Sequence, residues 1–290
     1  MRYSCLPTAF AFALGIGLVS AGFANAAPAP SAPAPVLKHH AFGLDVKAAK
    51  AAQSHDTSSG NPLPVLVGRT GAPPDSYSLE QYAQSPGNQG QVGSCVTWAT
   101  GYSAYGVLMN EQNISGGPMA PMYIYSQIAQ GNDTGTYASV AIPMEEQQGI
   151  DTKSDYYQGD FDYTTQPTDA ERANAAHYKT SGSQDLINSS DRQQAIEQAI
   201  STGMPVPIGF EVRQSFENLN SSNYNYNPDP SESVLGGHEV TIVAYDQTGV
   251  TIENSWGTGW GNGGFFTAPW SWINSSDVDE IHSMGRLVTE

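Results

Sequence analysis

Two β-branched apolar runs near the end of the chain, "HEVTIVAYD" (238–246) and "GVTIEN" (249–254), are parted only by Gln247-Thr248. A link that short turns the chain back along itself, so the last third of the sequence contains an antiparallel hairpin. "MPVPIGFEV" (204–212) and "GGFFTAP" (263–269) have the same strand character and would extend the hairpin into a sheet. Earlier in the chain the period changes. Trp98, Tyr102, Tyr105 and Met109 follow one another at four, three and four residues, which predicts a helix from Cys95 onward with one buried side. A second helix is expected over Asp191–Thr202, where Ser190 and Gln193 have capping-box spacing and Gly203 ends the run; a short one fits within 42–55. Helices first and antiparallel strands after them make an α+β arrangement with a cleft between its halves.

The amino end has another character. Arg2 precedes an apolar run from Ala9 to Phe23, and Ala24-Asn25-Ala26 is a small-residue cleavage step, so residues 1–26 read as a secretory signal. The run is too short for a membrane span. "APAPSAPAP" (27–35) is extended and poorly packing, so residues 27–71 are expected to be a Pro/Ala-rich tether or short propeptide, and 72–290 the folded domain. The product is expected to be secreted or periplasmic, with no membrane attachment after cleavage. Eleven Lys and Arg against 28 Asp and Glu give a formal charge of −17, which leaves no basic stripe for nucleic acid.

Of the two cysteines, Cys5 leaves with the signal and Cys95 stays without a partner. An unpaired thiol in an exported chain points to intermolecular pairing, chance or reactivity. A thiol becomes a good nucleophile when a helix N-terminus or an adjacent imidazolium stabilises its thiolate, and Cys95 stands where the helical periodicity begins. For His39, His40, His55, His177 and His282 a solvated or satisfied side chain is expected. His238 differs, lying at the mouth of an apolar strand after two glycines. The "HE" pair is no zinc motif, because Ile242 stands where the second histidine belongs. No "GxSxG" elbow exists for a serine mechanism. Asn254, 16 residues after His238, ends the second strand of the hairpin, where pairing can bring it beside the imidazole, and Trp256 can shield that bond from water.

"NQGQVGSCVTWA" (88–99), the strand-borne His238 and "ENSWGTGWGNGGFF" (253–266) together resemble the papain-like cysteine peptidase family, which carries "QGxCGSCWAF" and "NSWGxxWGxxGY" in the same Cys, His, Asn order. The resemblance implies a papain-like two-lobed fold: a helical first lobe with the nucleophile at a helix N-terminus, an antiparallel β-rich second lobe, and the active-site cleft between. It implies Cys95 as nucleophile, His238 as general base and acid, Asn254 as the group orienting the imidazole, and Gln89 as oxyanion donor; Gln91 has the wrong spacing. It also implies substrate-binding roles for Gly135, Thr136, Tyr137, Gly237, Trp256 and Trp260, with no metal, no cofactor, and protein or peptide substrates for a monomer. A cell-wall amidase or isopeptidase using the same groups, and a silent binding module, are the alternatives. Val92 stands where the family has a disulfide cysteine, Val96 and Thr97 replace its Trp and Ala, and Gly237 replaces a common Asp or Asn.

Overall fold

The computed structural model describes residues 40–66 and 71–288; the expected signal sequence (1–26) and the Pro/Ala run at 27–35 lie outside the described residues. In chain order the elements are α1 (Val46–Ala52), β1 (Ser59–Gly60), β2 (Tyr77–Ser78), α2 (Cys95–Trp98), a π-helical stretch (Ala99–Ala104), α3 (Tyr105–Glu111), α4 (Pro121–Ala129), α5 (Ala138–Gln148) and α6 (Asp169–Ala175). Then follow β3 (Lys179–Thr180), β4 (Gly182–Asp185), α7 (Arg192–Ser201), β5 (Val206–Arg213), β6 (Val234–Tyr245), β7 (Gly249–Glu253), β8 (Phe265–Pro269), α8 (Trp270–Ile273), β9 (Val278–Met284) and β10 (Leu287–Val288).

The apolar runs of β5 and β6 lack alternation because both faces of these strands are covered. They are central in an antiparallel sheet of order β1-β4-β9-β5-β6-β7-β8, and β2 adds to β6 through Tyr77 opposite Tyr245. The hairpin closes with Tyr245 opposite Val250, while the Asp246 carboxylate accepts from the Thr248 and Gly249 N–H groups and holds the turn. One face of the sheet carries an aromatic core in which Phe216 meets Phe210, Tyr226, Trp260 and Phe266 with ring centroids 4.8–5.3 Å apart. A second core, containing Leu108, Met109, Tyr123, Ile142 and Cys95, belongs to the helices. Two cores give the two lobes that the α+β reading anticipates.

The helix starting at Cys95 departs from its expected form. Every residue from Cys95 to Met109 is buried, so it has no exposed face. The π-helical stretch breaks the 3.6-residue period on which the 98/102/105/109 stripe depends. Small hydroxyl residues make that burial tolerable. Thr241 Oγ1 donates to the Ala99 carbonyl (2.8 Å), Ser103 Oγ donates to Glu253 Oε1 (2.9 Å), and the Thr100 hydroxyl lies 2.7 Å from Glu145 Oε1. The helix is thereby tied to β6, β7 and α5.

A further expectation is corrected. Asp191, not Ser190, caps α7: its backbone is extended and its carboxylate accepts from Gln194 N (3.0 Å), while Gln193 turns forward to Glu197. Packing onto the domain begins well before residue 72. Asp45 caps α1, Lys50 pairs with Glu211 and Asp279, Gln53 donates to the Asp279 carbonyl, and β1 pairs with β4, so residues 40–66 form part of the same compact unit as the rest of the described chain.

Buried carboxyls set the pH dependence of stability. Burial pushes Glu145 and Glu253 up to about 8, each with a Thr or Ser hydroxyl pulling the other way. A carboxyl raised in the folded state stabilises it fully below the unfolded value near 4.5, and that contribution is lost as pH rises through 8. His238 and His282 are pushed down to about 4 by burial, so their contribution is present above about 6.5 and is lost as pH falls through 4. With Glu239 and Glu280 also raised, the carboxyls dominate. Thermal melting is expected to peak near pH 5 and to decline toward pH 8 by an amount on the order of a few kcal/mol, with Glu145→Gln flattening that decline. A melting temperature that rises steadily from pH 5 to 8 would contradict this.

Candidate active site

Cys95 is fully buried as the first residue of α2. The turn before it is shaped by Gly93, whose N–H donates to Asp133 (3.0 Å), and by Ser94 N donating to the Val92 carbonyl (2.8 Å). Strand β6 carries His238 to the seam between the lobes. Its Nε2 lies 2.7 Å from Asn254 Oδ1, just beyond the end of β7. Because Asn254 Oδ1 also accepts from Ser255 N (2.8 Å), the amide oxygen faces the ring, and Nε2 is the donor in the neutral imidazole. Nδ1 is left buried without a partner. Trp256 covers the ring at 4.9 Å.

Gln89 is laced into the same corner. Its N–H donates to the Ser255 carbonyl (2.9 Å), Ser255 Oγ donates to its Oε1 (2.7 Å), and Gly257 N donates to Gly87 O (2.7 Å). These bonds fix the loop where a disulfide would otherwise be expected. Gln89 Nε2 is left to donate to two carbonyls, Val92 (3.0 Å) and Ala41 (3.1 Å).

Ala41 belongs to a segment lying along the seam. Gly43 N and Leu44 N donate to the Gly237 carbonyl (3.2 and 3.1 Å), Asp45 N donates to Thr136 O (2.8 Å), and Thr136 N donates to Gly43 O (2.9 Å). His40 stacks on Trp256 at 4.4 Å, and Phe42 approaches both His238 and Trp256. Gly135 has φ +79, and a Cβ there would come within 2.3 Å of Gly43 O, which is why this wall begins with glycine. Of the residues expected to bind substrate, Gly135, Thr136, Gly237 and Trp256 meet this segment. Tyr137 is the N-cap of α5, and Trp260 stands behind Trp256 at 5.4 Å. The neighbouring Trp98 packs against Tyr102 and Gly87 with Lys153 above it, away from His238. A surface cavity of about 720 Å³, lined by residues such as Tyr77, Tyr245 and Thr251, includes none of these groups.

The filled cleft changes the electrostatics. Burial pushes the Cys95 thiol up to about 12, with backbone N–H groups of Glu239, Gly43 and Val96 opposing it, and burial pushes His238 down to about 4 against the Asn254 bond. Both groups are neutral at pH 7 in this state. The expectation of a tether or short propeptide over 27–71 did not say which residues would enter the cleft, since "HAFGLD" has no periodicity. Sequence reasoning missed Glu239 and Glu280 as interior groups, and it took His282, which is buried, for an ordinary side chain.

The sequence pattern described as "Papain family cysteine protease" matches residues 74–283. An uncharacterized peptidase C1-like protein of Acanthamoeba polyphaga mimivirus is 23% identical over 66% of this chain and 66% of its own, and rat procathepsin L is 24% identical over 61% and 54%. The chain thus spans about half to two thirds of the length of these curated relatives. Among solved structures, Xylellain, a cysteine protease from Xylella fastidiosa, superposes with a TM-score of 0.67 at 22% identity, covering 87% of this chain and 100% of that one.

Proposed function

The chain belongs to the papain family of cysteine proteases, and from that premise we propose that it hydrolyses peptide bonds through Cys95, and that residues 40–45 hold it latent until they leave the cleft. The observation carrying this reading is a peptide carbonyl, that of Ala41, seated on Gln89 Nε2, with the Gly43 N–H facing the Cys95 thiol and the following backbone pairing with both walls.

In the open cleft, water reaches the pair and removes the desolvation that keeps both groups neutral, so the proton passes from the thiol to His238 Nδ1. The thiolate attacks the scissile carbonyl, and the resulting oxyanion accepts from Gln89 Nε2 and the Cys95 N–H. His238 then protonates the leaving nitrogen, giving an acyl-enzyme, and later takes a proton from the water that hydrolyses it. Asn254 Oδ1 keeps the imidazole in the orientation these transfers need.

Direction explains why the segment is not a substrate. The leaving nitrogen must lie toward His238 and Trp256, so a substrate runs N to C from the Thr136 wall to Trp256. Residues 40–45 run the other way, with His40 on Trp256 and Leu44 at Thr136. The apolar run Ala9–Phe23 with its Ala-Asn-Ala step supports export of the latent form.

Incubating the purified chain with an epoxysuccinyl thiol inhibitor, before and after limited proteolysis of its amino-terminal segment, tests the reading. Stoichiometric mass addition at Cys95 with casein or peptidoglycan hydrolysis after the cut is expected. A Cys95 that stays inert, in a chain that cleaves neither, would remove it.

A further inference from the structure

Gly209 lies in β5 opposite Glu239 of β6 on one side and Glu280 of β9 on the other. Lacking a side chain between them, it leaves a recess in the face of the sheet with a carboxyl at each edge. The side chain in that recess is Leu44, from the cleft-bound segment: a Cβ built on Gly209 would lie 2.9 Å from Leu44 Cδ2 and 2.7 Å from Glu280 Cγ. Glu280 accepts from Ala138 N with both oxygens (3.1 and 3.2 Å). Glu239 is fully buried, and neither of its oxygens receives a hydrogen bond from a donor group.

An isobutyl group set against two buried acids is a poor chemical match. Among the described residues no Lys or Arg pairs with either: Lys50 is engaged with Glu211 and Asp279, and His282 Nε2, 4.0 Å from Glu280, belongs to an imidazole that burial keeps neutral. Burial and mutual repulsion raise both carboxyls, so with Leu44 in place the two share a proton. A cation in the recess removes the need for that proton and satisfies the free oxygens.

We propose that the recess at Gly209 is the specificity site of this peptidase and takes a Lys or Arg side chain of the substrate, on the acyl side of the scissile bond, between Glu239 and Glu280. The assignment rests on the peptidase reading above, which places the Thr136 wall on the acyl side. Leu44 then acts as an occupant without a charge, seated firmly enough to block the site and loosely enough to leave it.

Two measurements on the full chain test this. The first needs no peptidase activity: iodoacetamide labelling of Cys95, which reports how often the segment lifts. Leu44→Arg is expected to slow labelling at least fivefold, and Glu239→Gln/Glu280→Gln to cancel that effect. The second uses Gly43→Ala, which opens the cleft, with peptide libraries varied at each acyl-side position. A preference of at least tenfold for Arg or Lys over Leu is expected at one position only, falling to twofold or less in Glu280→Gln. Where peptides are cleaved the library decides, and a preference for Leu or Phe at every acyl-side position overturns the proposal. If no peptide is cleaved, the peptidase reading fails while the labelling result still decides the recess: faster labelling of Leu44→Arg overturns it, slower labelling supports it.

Discussion

Gly43→Ala in the full chain is expected to speed alkylation of Cys95 about a hundredfold and to release peptidase activity without proteolysis. A Cβ on residue 43 would lie 2.0 Å from the Gly93 carbonyl oxygen and 2.2 Å from its carbon. Those atoms are backbone, held by the bond from Gly93 N to Asp133, and no rotamer change relieves the contact. A displacement costing about 3 kcal/mol shifts the closed-to-open equilibrium by roughly two orders of magnitude. The docked segment makes four backbone bonds to Gly237 and Thr136, and alanine forfeits their geometry together. Stopped-flow alkylation of the parent and the variant measures the ratio. Equal rates would show that residues 40–45 do not control access to the thiol.

Within that opened background, Cys95→Ala is expected to abolish hydrolysis, a fall of about four orders of magnitude or more in kcat, because no other group can form the acyl-enzyme. Gln89→Ala is expected to lower kcat about a hundredfold with little change in KM, since its amide serves the oxyanion more than the ground-state carbonyl. In the parent chain the same substitution acts in two directions. It removes the bond from Gln89 Nε2 to Ala41 O, so the segment lifts more often and alkylation of Cys95 quickens, while hydrolysis slows. Faster labelling with slower turnover is a signature that general destabilisation of the cleft does not give. Loss of both in parallel would place Gln89 in a purely structural role.

The fold class was legible because its signals are local: the hairpin follows from two β-branched runs and a two-residue link, and the helical lobe from aromatic spacing after Cys95. The catalytic candidates were legible because few residue types can do the chemistry, so Cys95, His238 and Asn254 narrow quickly once a nucleophile is sought. Two kinds of information were hidden. Residues 40–45 have no period of their own, and their conformation comes from Gly237, Thr136 and Gln89, which lie far along the chain. Nothing local in the sequence marks Glu239, Glu145 and Glu253 as interior, and only the placement of Ser103, Thr100 and Gly209 beside them explains why they are inside. The π-helical stretch was invisible for a similar reason, since Thr241 takes up the Ala99 carbonyl from another lobe.

The cleft segment reaches its site on a tether of its own making. As long as α1 remains joined to β1, Leu44 and its neighbours are always near the cleft, and the fraction of closed molecules does not depend on how much protein is present. A single cut between α1 and β1 turns the same residues into a separate peptide with a dissociation constant. From that moment dilution sets the occupancy, and on the proposed latency a chain held silent at high concentration is expected to become active as it spreads.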